Sequence, residues 1–246
     1  MSTPGNRDAG SPQSPRPWRA AALPWLTRAA QGSSAFIGTF LAIHLTAPLL
    51  ANLGGSSLAS QVMLLGREYY QTPLGEAALV LGPIAVHAAT AATKRLLAPR
   101  RARPLASALA LTGYATLFVF LPAHFVTHRL NPTYSGPPVY AVGPAELDYE
   151  FVKVGLQTWP WRSWILYTGL VAGVAVHAAE GMNIILSTLV KNRKRWSARA
   201  RRLAALLAAV PVLSGAWVMA REPLMTFSSL ALRYHESFTR SYLFRL

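Results

Sequence analysis

Apolar residues fall in long blocks along this chain, separated by polar, basic or aromatic stretches. Five blocks approach the ~20 residues that a helix needs to cross a bilayer core. They predict spanning helices over residues 33–53, 74–97, 105–127, 163–190 and 203–220. Residues 1–31 are rich in Pro, Ser, Arg and Gly and predict a disordered tail. Within it, residues 23–30 predict a short interfacial helix with Trp25 at headgroup level. Residues 221–246 predict a C-terminal tail on the opposite side. The expected fold is therefore an all-α integral membrane protein with five transmembrane helices. Helices one to four are expected to form a four-helix bundle from a duplicated two-helix unit, with a fifth helix appended.

The duplication comes from polar residues inside the apolar blocks. His177 and Glu180 lie in the fourth block, and ionisable residues at such depth are functional suspects. The segment Ala-Val-His-Ala-Ala occurs at residues 85–89 and again at 175–179. Each of the first four spans carries a histidine: His44, His87, His124 and His177. The repeating unit is a helix with one histidine, a far-side loop with aromatic and acidic residues, then a helix with Ala-Val-His-Ala-Ala. The loops contain Glu68-Tyr69-Tyr70 and Tyr149-Glu150-Phe151. Both copies start on the same side, which implies a pseudo-twofold axis along the membrane normal. Counting ~1.5 Å per residue puts the symmetric pairs at two levels, His44 with His124 and His87 with His177.

Composition supports a membrane setting. The chain is 52% hydrophobic and 13% charged, against ~25% charged in soluble domains. A net charge of +15 would also suit nucleic acid, but no nucleic-acid-binding motif is present. The basic residues instead mark one side. Sixteen of the 24 lie in the N-terminal tail, the second–third loop and the fourth–fifth loop, where Asp8 is the only acid. The other eight share the opposite side with seven acids. This bias predicts a cytosolic N-terminus and basic loops that touch anionic membrane lipid. With no cysteine, iron–sulfur clusters and thiol catalysis are excluded. No Walker loop, nucleophile elbow, Rossmann glycine signature or His-Glu-x-x-His site appears, and no enzyme is expected.

Four inward histidines, paired at two depths, suit bis-histidine haem b, one or two per chain. Gly169, Gly173 and Gly181 share a helical stripe with His177, which leaves room for a flat macrocycle. The same stripe equally permits close helix packing. Lys94 and Arg95 are candidates for near-side propionates and Arg129 for far-side ones. Glu180 is placed to orient His177, to carry protons, or to pair with Lys94 or Arg95. His128 and His235 are expected to be interfacial or exposed. Pro48, Pro83 and Pro122 predict kinks or local widening near the histidines.

Histidines on the first four of five helices make the chain similar to the cytochrome b anchor subunits of succinate dehydrogenase and fumarate reductase. The stretch Ala-Val-His-Ala-Ala-Glu-Gly departs from the anchors' His-x-x-x-Gly-x-Arg pattern, with Asn183 where the Arg would stand. Residues 33–220 more closely resemble the fungal mitochondrial outer-membrane adapter proteins of the Mcp type. The likeness rests on helix count, on Gly-Pro-Ile-Ala-Val-His-Ala-Ala at 82–89 and on the second copy at 175–181. That resemblance implies an adapter that recruits a vacuolar protein sorting 13-type lipid-transfer protein and supports vacuole–mitochondria contacts and lipid homeostasis. In that family a Pro-x-Pro motif in the cytosolic tail makes the contact, and Pro15-Arg16-Pro17 has this spacing. The alternative is a b-type cytochrome subunit that passes electrons.

Overall fold

The computed structural model describes residues 17–98 and 102–245. Among these residues the fold is all-helical, and five helices are long and apolar enough to cross a membrane. The chain is a multi-pass membrane protein. We number its helices α1 (Pro17–Tyr70), α2 (Pro73–Leu97), α3 (Ala108–Thr133), α4 (Tyr149–Thr158), α5 (Pro160–Leu189), α6 (Ala198–Ala220), α7 (Ser228–Thr239) and α8 (Tyr242–Arg245).

Helix α1 departs most from expectation. Residues 17–31 are helical and continue into the first span. Pro17 begins the helix, a position where its missing N–H costs nothing, and no glycine–proline pair stops the run that follows. The helix continues to residue 53 and then reverses at Gly54 and Gly55, whose backbones are non-helical. Gly55 has φ 61°, ψ −159°, a conformation reserved for glycine. A Cβ there would also meet the Glu222 carboxylate at 2.2 Å. After the reversal, residues 56–70 return along the same helix. Ala59 and Met63 pack on Ala47 and Ala51, Gly66 faces Ile43, and Tyr70 lies edge-on to Phe40. The expected far-side loop around Tyr69 and Tyr70 is thus a helical limb.

Proline shapes the next two spans. The turns Glu76–Leu81 and Thr116–Phe120, which precede Pro83 and Pro122, are π-helical, as is Val126–Leu130 before Pro132. Proline has no N–H and its ring crowds the carbonyl one turn back, so the preceding turn widens. The expected widening is present before Pro83 and Pro122, whereas the helix around Pro48 stays regular.

The spans form two antiparallel pairs, α1 with α2 and α3 with α5. The fifth span is more than an appendage. Helix α6 packs against both α1 and α5 and joins the two pairs along one edge. Its closest approach is at Gly215, where a Cβ would fall 1.7 Å from the Pro48 carbonyl oxygen. Asn52 reaches across this seam, donating to the Pro211 carbonyl at 2.8 Å and accepting from Ser214 at 2.8 Å. Direct packing between α1–α2 and α3–α5 is otherwise sparse. A slot therefore separates the two pairs along the side away from α6.

The far side carries a helical cap rather than a simple loop and tail. Helices α4, α7 and α8 bury Phe151, Val154, Tyr234, Phe238 and Phe244 against one another. Residues 221–245, expected as part of a tail, contribute Tyr234, Phe238 and Phe244 to this apolar cluster. Glu146 accepts from both guanidinium nitrogens of Arg233 and from the Gly143 amide, which hold its carboxyl below the usual carboxylate range. Asp148 caps α4 by accepting from the Glu150 amide, while burial pushes its carboxyl up. Lys153 is fully buried beneath the cap. Its ammonium pairs with Glu150, lies 3.6 Å from Glu222 and donates to Ser56. Glu222 in turn accepts from the Ser56 amide at the start of the returning limb, where a carboxylate complements the helix dipole.

Candidate functional site

The slot between the helix pairs holds the four histidines. His44 on α1 faces His124 on α3 with ring centroids 6.0 Å apart and planes at 80°. His87 on α2 faces His177 on α5 with centroids 6.1 Å apart and planes at 81°. The chain thus brings together the two pairs that residue counting proposed. His87 lies beside Ala30 and Ser34 of α1, and His177 beside Leu109 and Gly113 of α3. From these neighbours to His44 or His124 is ten to fifteen residues, or twelve to thirteen on average. At ~1.5 Å per residue the two pairs lie about 18–20 Å apart along the helix axes.

Three of the four rings are held through Nδ1. His44 Nδ1 is 3.2 Å from the Tyr70 hydroxyl. His87 Nδ1 is 3.3 Å from the Ala30 carbonyl and 3.2 Å from the Ser34 hydroxyl. His177 Nδ1 is 2.9 Å from the Leu109 carbonyl. A carbonyl can only accept, so His87 and His177 each carry their proton on Nδ1. Among the described residues Nε2 of these three rings has no hydrogen-bond partner. His124 is packed 4.4 Å from the His128 ring instead. His128, expected to be interfacial or exposed, is half-buried and packed among other rings. It bonds the Tyr167 hydroxyl at 3.1 Å and lies edge-on to Phe151 and Phe238 of the far-side cap. His235 is partly exposed and stacks on Trp159.

The duplication is visible in these contacts. Ala30 lies fourteen residues before His44, and Leu109 lies fifteen before His124. The equivalent carbonyls therefore differ by one residue. The π-helical turn Thr116–Phe120 lies between Leu109 and His124 and absorbs it, since a π turn holds one residue more than an α turn. Ser34 and Gly113 show the same offset, and both touch the imidazole of the second helix in their unit. Gly113 was missed in the sequence because it stands outside the repeated motif.

The pairs fit the demands of two axial imidazoles on one iron. Metal–imidazole bonds of about 2.0 Å, plus about 1.1 Å from each nitrogen to its ring centroid, require centroids about 6.2 Å apart. The observed separations are 6.0 and 6.1 Å. Among the described residues no three His, Asp or Glu side chains gather as a metal cluster. That leaves two-imidazole sites, a donor set that a haem would complete. The slot provides the donors.

Several other expected roles fall differently. Gly169 and Gly173 do not clear space for a macrocycle. A Cβ at Gly169 would meet the Phe120 ring at 2.1 Å, and one at Gly173 the Thr116 hydroxyl at 2.7 Å. These glycines let α3 and α5 pack closely, which small residues on a stripe do in membranes. Gly181 has open space within 4 Å. Arg129 is committed to a two-point ion pair with Glu76, at 2.8 and 2.7 Å, and is not free for a propionate. Glu180 pairs with Arg201 at 2.7 Å rather than with Lys94 or Arg95. Arg95 lies over the Tyr114 ring. Asn183 is buried and accepts from the Trp196 amide at 2.7 Å. Pro15 and Arg16 lie outside the described residues. No known protein family, curated protein or solved structure matches the chain.

Proposed function

We propose that the protein is a membrane-embedded b-type cytochrome with two bis-histidine haem sites, His44–His124 and His87–His177. The observation that carries this reading is the pair geometry, found twice and related by the internal repeat. Edge-on ring packing also spans about 4.5–7 Å; what supports ligation beyond packing is that three of the four rings are held through Nδ1 and leave Nε2 without a hydrogen-bond partner among the described residues. Haem held by these histidines would supply reversible one-electron oxidation and reduction. The chain's own residues orient the donors. Tyr70 fixes His44, Ala30 and Ser34 fix His87, and the Leu109 carbonyl fixes His177. Metal-binding histidines commonly use their second nitrogen in this manner, which sets the tautomer and strengthens the donor. Levels about 18–20 Å apart give each half of a ~30 Å hydrocarbon core its own site.

The charge bias supports a cytosolic N-terminus. A mitochondrial outer-membrane location, and capture of a vacuolar protein sorting 13-type lipid-transfer protein by Pro15-Arg16-Pro17, rest on the resemblance. They add a partner-binding tail to the same haem-holding core. Single alanine variants test the haem sites through bound haem and low-spin electron paramagnetic resonance signals. His44→Ala and His124→Ala are expected to lose one signal, and His87→Ala and His177→Ala the other. Retention of both signals in all four variants, or a different grouping, contradicts the assignment.

A further inference from the structure

The two histidine pairs do not share the same electrostatic surroundings. At the pair His87–His177, both Nδ1 atoms face neutral groups: the Ala30 carbonyl, the Ser34 hydroxyl and the Leu109 carbonyl. The nearest acid along α5, Glu180, is neutralised by Arg201. Lys94 and Arg95 stand about two turns beyond His87, or about 10 Å along the axis. They lie toward the basic end of the helix and are half-buried. At the pair His44–His124, the nearby cation Arg129 is neutralised by Glu76.

Arg67 is different. It sits one turn before Tyr70 on the returning limb of α1. Its guanidinium is half-buried and lies beside Tyr70. One of its nitrogens donates to the carbonyls of Pro144, at 2.9 Å, and Leu147. Those partners are neutral. Asp148 and the phenols of Tyr149 and Tyr234 are in its surroundings, but no carboxylate forms an ion pair with Arg67 among the described residues. Tyr70 then touches His44 directly, at 3.2 Å from Nδ1. Among the described residues the far pair alone has a cation beside the hydrogen-bond partner of one of its imidazoles; Arg28, Lys94 and Arg95 near the other pair hydrogen-bond none of the groups that hold His87 or His177.

We propose that Arg67, acting through Tyr70 and through space, is a positioning and tuning residue that sets the far pair at the higher reduction potential. This inference rests on the two-haem reading. Reduction lowers the positive charge of a bound iron, so a fixed cation in a poorly screened setting favours the reduced form. The asymmetry comes from the hairpin at Gly54–Gly55, which has no counterpart in the second unit. It brings the Arg67–Tyr70 limb back onto His44 only.

Potentiometric titration of the purified full-length protein, followed optically and by paramagnetic resonance, tests this. The wild type is expected to show two midpoints. Arg67→Gln should shift the upper midpoint downward and leave the lower one in place, while Arg67→Lys should largely preserve both. Lys94→Gln should leave the upper midpoint unchanged. Two retained haems with unmoved midpoints in Arg67→Gln overturn the tuning role while leaving the haem sites standing. If Arg67→Gln does not fold, Tyr70→Phe carries the test. It should alter the low-spin signal and upper midpoint of the haem lost in His44→Ala, and an unaltered signal overturns the relay. Absence of haem from the wild type overturns the two-haem reading itself.

Discussion

Gly113→Ala isolates one histidine site with a single methyl group. A Cβ at this position would fall 2.7 Å from both Cε1 and Nδ1 of His177. Non-bonded carbon atoms settle at about 3.5–4.0 Å, so the imidazole must retreat by roughly 1 Å. It cannot do so freely, because the same Nδ1 bonds the Leu109 carbonyl at 2.9 Å, one turn away on α3. Ligand distances at metal sites hold to within about 0.2 Å. Overpacking of this kind costs about 1–3 kcal/mol. If that cost falls on the site, affinity for its haem drops about 5- to 140-fold, at tenfold per ~1.4 kcal/mol. The assay is haem per chain after purification through a dilute detergent wash, with a redox titration of what remains. The expected result is loss of the haem that His177→Ala also loses, with the other retained. Gly32→Ala serves as the control, since nothing stands within 4 Å of a Cβ there and Gly32 has no part in either site. Full occupancy of both sites in Gly113→Ala refutes the reasoning.

Other consequences follow from packing, charge and the tail. Gly215→Ala should lower the thermal unfolding midpoint in detergent, because the backbone carbonyl of Pro48 at 1.7 Å cannot move aside as a side chain can. Lys153→Met should leave Glu150 and Glu222 without their buried cation and cost about 3–5 kcal/mol in chemical unfolding, as broken buried pairs do. Glu146 has a folded pKa below its unfolded value, so its contribution is present above the unfolded range and lost as pH falls through the folded one. Acidification should therefore loosen the contact of Arg233 with residues 143–146, measured by proteolysis of that loop, and Glu146→Gln should flatten the response. Deletion of residues 11–19 should abolish recruitment of a vacuolar protein sorting 13-type lipid-transfer protein, scored by co-localisation. Unchanged recruitment removes Pro15-Arg16-Pro17 as the motif.

The spans and the histidine pairing were legible because both depend on simple periodicity. Apolar length marks a helix that can cross lipid, and a repeated Ala-Val-His-Ala-Ala marks equivalent positions in two units. The residues that orient the histidines were less visible. Ala30 and Leu109 act through backbone carbonyls, which carry no side-chain signature. Gly113 reads as an ordinary apolar-helix glycine until the imidazole packed on it is seen. Tyr70 and Arg67 were assigned to a loop, since nothing local in the sequence shows that Gly54-Gly55 reverses a helix rather than ending one. The glycine stripe on α5 was read in two ways, and Phe120 and Thr116 favour the packing reading at Gly169 and Gly173. A stripe of small residues specifies close approach without specifying what approaches.

The central claim is that paired histidines hold two haems, and the dithionite-reduced minus oxidised spectrum of the purified protein tests it most directly. Combined with a pyridine haemochrome assay, the account predicts a b-type α band and two haems per chain. A protein that is folded, intact and grown with ample haem supply, yet shows no such band, contradicts it.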